Sequence, residues 1–346
     1  MPATLTSEIA PNINPQHRQE WLDSGVDPDI IRLNVSSHTG DSVYELLLSD
    51  AIAQMGGHAS QYATAPVKRL FERYKTLTEG GWWCSGLDPL DNWAPMLWGQ
   101  FKGETPRVDS EKNKPIKYEV PLKTATRAYF LRVTWKVGYT YAKEHHCEEA
   151  YAQRIWKAYC ETQNPEPTAE LPAGLLFVPG GQGFGKTDSS GSKRGQKGTV
   201  SLQGWTPNSD FLRDLIPAEF WADEDPGFWD WVVSTGRPIT ITEGAKKAGA
   251  LLTHGHAAIA LPGIFSGYRK ATEKLIEDLQ AICKKGRTVY ICFDNDPKEL
   301  TRRNVNKAMG RMGRLFSLAG CKPHIVTLPG PEKGVDDLPL VESKRI

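Results

Sequence analysis

Residues Pro238–Ile264 read PITITEGAKKAGALLTHGHAAIALPGI and decide the fold. Two short apolar runs, Pro238–Thr242 and Ala257–Leu261, flank a helical pattern over Ala245–Leu252. Continuous apolar runs of this length are typical of parallel strands that are covered on both faces. The stretch therefore predicts a β-α-β unit, in which a right-handed crossover helix joins two parallel strands.

The same alternation continues towards the C-terminus. A helical pattern, an apolar run, a longer helical pattern and a last apolar run follow in this order: Lys270–Cys283, Thr288–Phe293, Leu300–Leu318 and Pro323–Leu328. Helices and loops of these lengths suit parallel crossover connections. The pattern predicts an α/β domain over residues 237–346, built as an open parallel sheet with helices on both faces.

Upstream of this domain the composition changes. Residues 80–140 are dense in aromatic residues, glycine and proline, a mixture typical of strands joined by long loops. We expect a loose polar tail over 1–16, an aromatic-rich α+β region over 17–163, and a linker with a Gly-rich loop and a connecting segment over 164–236. Core packing is favoured over base stacking for the tryptophans Trp82, Trp83, Trp93 and Trp98.

The overall charge of +1 conceals an asymmetry. From Arg237 to Ile346 there are 19 Lys and Arg against 11 Asp and Glu, whereas the preceding residues hold 23 against 30. A basic C-terminal third predicts a polyanionic partner such as nucleic acid. The alternative is a plain solvated basic face.

Several classes of protein do not fit the sequence. No apolar run approaches the roughly 18 to 20 residues that cross a bilayer, and the N-terminus lacks the basic start and apolar core of a signal peptide. We therefore expect a cytoplasmic protein without a membrane partner.

The six cysteines include no C-x-x-C pair, which argues against a zinc ribbon. His145–Cys147 is interpreted as a solvated helix end rather than a metal site, because adjacent helical residues point in different directions.

Acidic residues follow three of the predicted strands. Glu243 ends the first strand, Asp294 and Asp296 end the third, and Asp336 with Asp337 follows the fourth. The carboxyl ends of parallel strands meet at one edge, where open α/β sheets bind their ligands. Clustered carboxylates repel one another unless a cation joins them, and hard oxygen ligands suit Mg²⁺, with Mn²⁺ as an alternative. A helix N-cap would explain one such Asp, but for all three sites together we favour a metal site.

These residues resemble the Toprim domain that bacterial primases, topoisomerases and several nucleases share. The segments TEGAKKAGALL and FDNDPK are most similar to the versions in primases and primase-helicases. More specifically, the chain resembles the Toprim-containing N-terminal region of cyanobacterial plasmid replication proteins. The matching segments are KGETPRVDSEKNKPIKYEVP, RAYFLRV, ITEGAKKAGALLTHGHAAIALPGI and GCKPHIVTLPGPEKGVDDLP.

The resemblance implies roles for the acidic residues. Asp294 and Asp296 would hold Mg²⁺, and Asp336 or Asp337 would complete its ligand shell. Glu243 would act as general base or acid near the attacking hydroxyl, or bind a second ion. Asp294, Asp296 and Glu243 are thus the predicted catalytic residues.

Candidate contacts for the phosphates of a nucleotide or nucleic acid are basic residues near the same strand ends and Lys186 in the Gly-rich loop from Gly180 to Gly198. The alternative is a solvated helix face or, in the Gly-rich loop, a surface loop. The candidates are Lys246, Lys247, Lys298, Arg302, Arg303 and Lys186.

The resemblance implies a plasmid or mobile-element replication protein, with primer synthesis by nucleotidyl transfer as the favoured activity. A Mg²⁺-dependent Toprim nuclease is one alternative, since the same carboxylates serve hydrolysis when water attacks. A DNA-binding initiator or adaptor without catalysis is the other. The expected partners are single-stranded or plasmid origin DNA and nucleoside triphosphates, with a replicative helicase as a further candidate.

Residues Gly180–Thr187 read G-x-x-x-x-G-K-T, the spelling of the phosphate-binding loop of P-loop NTPases. That loop works only where a helix opens directly after it and presents its backbone N–H groups to phosphate. The next eleven residues, DSSGSKRGQKG, show no apolar periodicity and contain three glycines. We therefore interpret the spelling as coincidental.

Replacing Lys186 by Ala tests this interpretation. Lys186→Ala should weaken ATP binding no more than Lys193→Ala in the same loop, because without a P-loop Lys186 has no special role among the loop lysines. Fast ATP hydrolysis by the wild type that is lost only in Lys186→Ala would show that the loop is a true P-loop.

Overall fold

The computed structural model describes residues 12–55, 64–109, 111, 113–163, 216–295, 298–328 and 334–337. The Gly-rich loop with Lys186, most of the predicted N-terminal tail, and Asp296 lie outside these ranges. The side chain of Asp337 is likewise not described.

Eleven helices and eleven strands can be assigned within the described ranges. The helices are α1 (Pro15–Leu22), α2 (Pro28–Asn34), α3 (Asp41–Gln54), α4 (Ala65–Tyr74), α5 (Trp135–Glu144), α6 (Glu148–Gln163), α7 (Ala218–Ala222), α8 (Phe228–Ser234), α9 (Ala245–Thr253), α10 (Glu277–Ala281) and α11 (Glu299–Leu318). The strands are β1 (Val35–His38), β2 (Gly81–Asp88), β3 (Ala94–Gly103), β4 (Val108–Asp109), β5 (Lys114–Pro115), β6 (Ile239–Glu243), β7 (Ala258–Leu261), β8 (Tyr268–Arg269), β9 (Lys274–Leu275), β10 (Thr288–Cys292) and β11 (Lys322–Ile325). Two 3₁₀ turns cover Lys75–Glu79 and Val335–Asp337.

The C-terminal part contains a four-stranded parallel sheet in the order β11-β10-β6-β7. The chain passes from β6 outward to β7 and then back across β6 to β10. Because parallel crossovers are right-handed, this reversal places α9 on one face and α10 and α11 on the other. The mixed α/β fold with a parallel sheet is as the sequence predicts.

The predicted helix over Lys270–Cys283 is wrong. The segment begins as a short antiparallel hairpin, β8 and β9, and only Glu277–Ala281 is helical. Glu273 takes a left-handed φ of 52° where the hairpin turns, and the adjacent Leu275 and Ile276 are buried. Burial of these side chains overrides a helical periodicity that is present in the sequence.

Helices α5 and α6 follow one another closely in the chain. The break falls at His145–Cys147, where His146 has a φ of 49°. The helix end is as predicted, but His145 is half-buried rather than solvated, and burial lowers its pKa to about 4, with smaller contributions from His256 and Arg237. Within the described residues no group of three His, Cys, Asp or Glu is placed to hold a metal ion.

The N-terminal part is built on an antiparallel sheet in the order β1-β2-β3. Trp82, Trp83 and Trp98 on these strands are buried, and Trp93 packs half-buried against the core. These tryptophans therefore pack in the interior, as the sequence analysis favoured. Trp21 and Trp82 pack edge to face with their ring centroids 5.2 Å apart.

The two sheets share one hydrophobic core, which contains residues from Trp21 to Val335. Tyr129 and Ala260 exchange two backbone hydrogen bonds, so the segment after β5 runs along the outer edge of β7. The proposed division into regions stays a prediction, but the packing joins the N-terminal part firmly to the parallel sheet. No helix within the described ranges is long and apolar enough to cross a membrane.

A buried ion pair also joins the two parts. Arg127 donates from Nε to Asp278 Oδ1 at 2.9 Å and also contacts Asp88 on β2. Asp278 on α10 is almost fully buried and accepts a further bond from the backbone N–H of Ala128 at 2.8 Å. The guanidinium thus links β2 to α10 across the core.

Arg127→Ala should lower the free energy of unfolding by about 3 kcal/mol, because it leaves the buried Asp278 carboxylate without its counter-charge. The matched control is Arg269→Ala, whose partner Glu277 is exposed and whose loss should cost less than about 1 kcal/mol. Chemical denaturation measures both. Equal losses in the two variants would contradict the assignment of Arg127 as the link.

Candidate active site

The crevice lies where the strand order reverses, between β6 and β10. Open α/β sheets bind their ligands at this switch point, outside the carboxyl ends of the strands. A cavity of about 340 Å³ opens here. Its wall from the parallel-sheet side includes Glu243, Lys246, Lys247, Asp294 and Asp336, and its wall from the N-terminal part includes Trp82, Gln100, Lys117 and Tyr118.

A tight turn brings the residues after β6 to the cavity. Gly244 has a φ of 86°, a left-handed conformation that glycine adopts without a steric penalty. The chain therefore passes from Glu243, the last residue of β6, directly into α9 at Ala245. Lys246 and Lys247 consequently stand on the first helical turn, beside the ends of β6 and β10.

One ammonium group lies between two carboxylates in this cavity. Lys247 Nζ is 3.3 Å from Asp294 Oδ1 and 3.8 Å from Asp336 Oδ1. Burial alone would lower the pKa of Lys247, but Asp336, Asp294 and Glu243 outweigh it and raise the pKa. The lysine is therefore charged, and it offsets the repulsion between the carboxylates.

The turn after β11 completes this arrangement. A Cβ placed on Gly334 would lie 2.5 Å from Asp336 Oδ1 and 2.8 Å from Lys247 Cε. Only a residue without a side chain lets the backbone approach the ion pair this closely. The sequence Gly334–Asp337 thus positions Asp336 beside Asp294, which follows β10.

Glu243 belongs to the same electrostatic environment. The pKa of Tyr118 is raised, first by burial and then by the negative charges of Glu20, Asp336, Glu243 and Asp294. Glu243, Asp294 and Asp336 come from three separate segments of the parallel-sheet part, and all three line the cavity together with Tyr118. The predicted convergence of Glu243, Asp294 and Asp336 at one edge is what the structure shows.

A second charged cluster adjoins the cavity and is centred on Glu20 of α1. Lys102 Nζ lies 2.8 Å from Glu20 Oε2, Lys246 Nζ lies 3.0 Å from Glu20 Oε1, and the Trp82 indole donates to Oε2 at 3.1 Å. Burial opposes ionisation of Glu20, but these hydrogen bonds and the charge of Lys246 prevail and lower its pKa to about 2. Lys246 is thus held by Glu20 at the cavity wall.

Two further polar side chains face the cavity. Lys117 makes no ion pair within the described residues, and its pKa is lowered by burial and by the charges of Lys102, Lys246 and Lys247. Gln100 is buried, and its Oε1 has no hydrogen-bond partner in the described part of the chain. A ligand that accepts from Lys117 and donates to Gln100 would satisfy both groups.

The structure does not bring all predicted residues to the cavity. Lys298, Arg302 and Arg303 are exposed at the start of α11 and are not part of its wall. Asp296 and Lys186 lie outside the described ranges, and Asp337 is described only as part of the last 3₁₀ turn.

Sequence reasoning missed residues of the N-terminal part. Gln100, Lys117 and Tyr118 line the cavity. Glu20 and Lys102 form the ion-pair cluster that includes Lys246. Lys117 and Tyr118 stand inside the segment KGETPRVDSEKNKPIKYEVP, which carried part of the family resemblance. That segment was therefore a usable signal, although nothing in its spacing indicates the cavity that it faces.

The donor set at the crevice suits a hard cation. Mg²⁺ is usually held by one or two carboxylates and completes its shell with water and substrate phosphates. Asp294 and Asp336 are two carboxylates on one side of the cavity, and Glu243 lines the same side. No third His, Cys, Asp or Glu joins them at metal-binding distance within the described ranges. The residues present thus fit a cation that also contacts a ligand.

The fold and the site together define a mixed α/β protein with a charged crevice at the switch point of a parallel sheet. A family model described as a domain of unknown function (DUF3854) matches residues 228–345, which include the whole parallel sheet. None of the matched descriptions names a Toprim domain, so that assignment stays a prediction.

Two individual matches extend over nearly the whole chain. An uncharacterized protein of Picosynechococcus sp. is 34% identical over an alignment of 355 positions, which covers 97% of this chain and 28% of that relative. The chain thus spans little more than a quarter of the relative's length. The solved structure of the Aquifex aeolicus primase (zinc binding and RNA polymerase domains) is similar with a TM-score of 0.42 and 12% identity, covering 96% of this chain and 54% of that chain. A TM-score at this level does not show a common fold.

The depressed pKa of Glu20 leads to a pH-dependent prediction. A carboxyl whose pKa falls on folding stabilises the protein above its unfolded value of 4.5 and stops doing so as pH falls towards about 2. Glu20→Gln should therefore destabilise the protein by about 1 kcal/mol at pH 7, a value reduced because the group is partly exposed to screening solvent. Denaturation curves of the wild type and variant should converge between pH 4.5 and pH 2.

Glu273→Gln is the matched control, because its pair with Arg311 is exposed and should contribute little at any pH. A stability difference for Glu20→Gln that stays constant down to pH 2 would contradict the assignment of Glu20 as an ionised anchor of the two lysines.

Proposed function

We propose that this chain is the primase-like part of a replication protein for plasmid or other mobile DNA, and that it joins nucleotides by Mg²⁺-dependent nucleotidyl transfer. The observation that carries the proposal is that carboxylates and lysines line one cavity. The parallel-sheet wall carries the carboxylates together with Lys246 and Lys247, and the N-terminal wall adds Lys117.

A cavity lined by both carboxylates and lysines suits a nucleoside triphosphate with its cation. A volume of about 340 Å³ lies in the range of small-ligand sites, which runs from about 300 to 1,000 Å³. Lys117 and Lys246 can contact the phosphates, while the carboxylates hold the cation that accompanies them. Trp82 and Tyr118 provide aromatic surface in the same wall.

Phosphoryl transfer asks mainly for positioning and charge neutralisation. Asp294 and Asp336 would hold Mg²⁺, which supplies charge neutralisation at the reacting phosphate when it is bound. Asp296 is proposed as a further ligand, as the family resemblance implies.

Glu243 is proposed as the general base or acid for the attacking hydroxyl. It is the last residue of β6, one of the two inner strands of the sheet, and it lines the same cavity as Asp294 and Asp336. A carboxylate in this position can accept a proton while the lysines orient the phosphates. Tyr118 has a raised pKa and therefore stays protonated, so it can donate a hydrogen bond to a ligand oxygen.

Nucleic acid is proposed to approach along the basic C-terminal part. Lys298, Arg302 and Arg303 are exposed on α11, which follows the segment that carries Asp294. Exposed cations of this kind contact phosphates and make binding dependent on salt. Single-stranded DNA or plasmid origin DNA is the proposed template, and a replicative helicase remains a proposed partner.

A primer-synthesis assay tests the proposal. The wild-type chain is incubated with single-stranded DNA, labelled nucleoside triphosphates and Mg²⁺, and growing oligonucleotides are expected. Asp294→Asn and Asp336→Asn should each reduce their formation by about 100-fold or more, because each removes charge stabilisation from the transfer step. Asp230→Asn, an exposed acidic residue on α8, is the control and should leave the rate unchanged.

The other outcomes distinguish the rival functions. Shortening of the DNA without primer synthesis would show a nuclease that uses the same carboxylates with water as the nucleophile. Binding of DNA without turnover, unaffected by Asp294→Asn, would show a non-catalytic initiator or adaptor. Either result would contradict the proposed nucleotidyl transfer.

A further inference from the structure

Lys247 occupies an unexpected position for a phosphate contact. Its ammonium group lies between Asp294 and Asp336, at 3.3 Å and 3.8 Å from one oxygen of each. These are the oxygens that a hard cation would need. An ammonium group and a divalent cation that bind the same carboxylate oxygens compete with one another.

The placement of Lys247 is fixed by the fold. The residue stands on the first turn of α9, so its backbone is positioned by the Gly244 turn. Its stem passes the backbone of Gly334, where a Cβ would come within 2.8 Å of Lys247 Cε. The three charged side chains are between 14% and 20% exposed, so solvent screens their attraction only weakly.

The neighbouring Lys246 shows that this placement is specific. It belongs to the same helical turn and carries the same charge, yet it pairs with Glu20 of the N-terminal part. The two lysines therefore have different roles. Lys246 anchors the N-terminal part, and Lys247 neutralises the carboxylate pair.

We propose that Lys247 is an internal cation of the site, which pairs with Asp294 and Asp336 until a divalent cation displaces it. Metal binding and the Lys247 ion pairs then exclude one another. Lys247 keeps the crevice stable without metal and lowers the affinity of the site for metal. The inference rests on the proposed function only in taking these carboxylates as the metal ligands.

Two measurements on the full chain follow from this. Mg²⁺ alone is the probe in titration calorimetry, without nucleotide or DNA. Lys247→Gln should bind Mg²⁺ about tenfold more tightly than the wild type, since one charge-assisted contact no longer competes. The thermal midpoint of Lys247→Gln should be lower than that of the wild type without Mg²⁺ and should recover when Mg²⁺ is added.

Lys246→Gln is the matched control, with the same charge change one residue away. It should alter the Mg²⁺ affinity much less, because its ammonium does not touch Asp294 or Asp336. If Lys247→Gln does not fold, the pair Asp336→Asn and Lys247→Gln/Asp336→Asn replaces it, since the double variant removes one charge of each sign. The double variant should again bind Mg²⁺ more tightly than Asp336→Asn.

The contrary results are distinct. Equal Mg²⁺ affinity in the wild type and Lys247→Gln would overturn the inference and leave the proposed metal site intact. Equal increases in Lys246→Gln and Lys247→Gln would also overturn it, because a general charge effect would then explain both. No Mg²⁺ binding by any variant would remove the inference together with the metal of the proposed function.

Discussion

Two carboxylates that face one crevice need a cation, and much of the structure around the switch point follows from that requirement. Asp294 follows β10, and Asp336 comes from the turn after β11, so the sheet brings them together from separate segments. Lys247 lies between them because Gly244 allows α9 to begin directly after β6. Without a positive charge here, like-charge repulsion would oppose the approach of these segments.

The second requirement is a wall opposite the carboxylates, and the N-terminal part provides it. The buried aromatic residues of its antiparallel sheet belong to the same hydrophobic core as the parallel sheet. The N-terminal part is therefore packed against the parallel sheet. Glu20 holds Lys102 and Lys246 together across the junction of the two parts. The family model that matches residues 228–345 therefore covers only one wall of the cavity, and the other wall comes from residues before it.

The parallel sheet and its acidic edge could be predicted from sequence because both depend on local patterns. Apolar runs give the strands, and Glu243 and Asp294 stand where those runs end. The hairpin at Tyr268–Leu275 could not be predicted in this way, because its conformation depends on burial against distant elements. Nor could the pairing of Lys246 with Glu20, since these residues are remote in sequence and meet only when the two sheets pack together.

The position of a divalent cation tests the account most directly. Crystals of the full chain soaked in Mn²⁺ with a nucleoside triphosphate would locate the ion by its anomalous scattering. The account predicts a peak within about 2.2 Å of a carboxylate oxygen of Asp294, near Asp336, with Lys247 moved away from the pair. A peak elsewhere, or an ordered Lys247 still between the two carboxylates at saturating Mn²⁺, would contradict it.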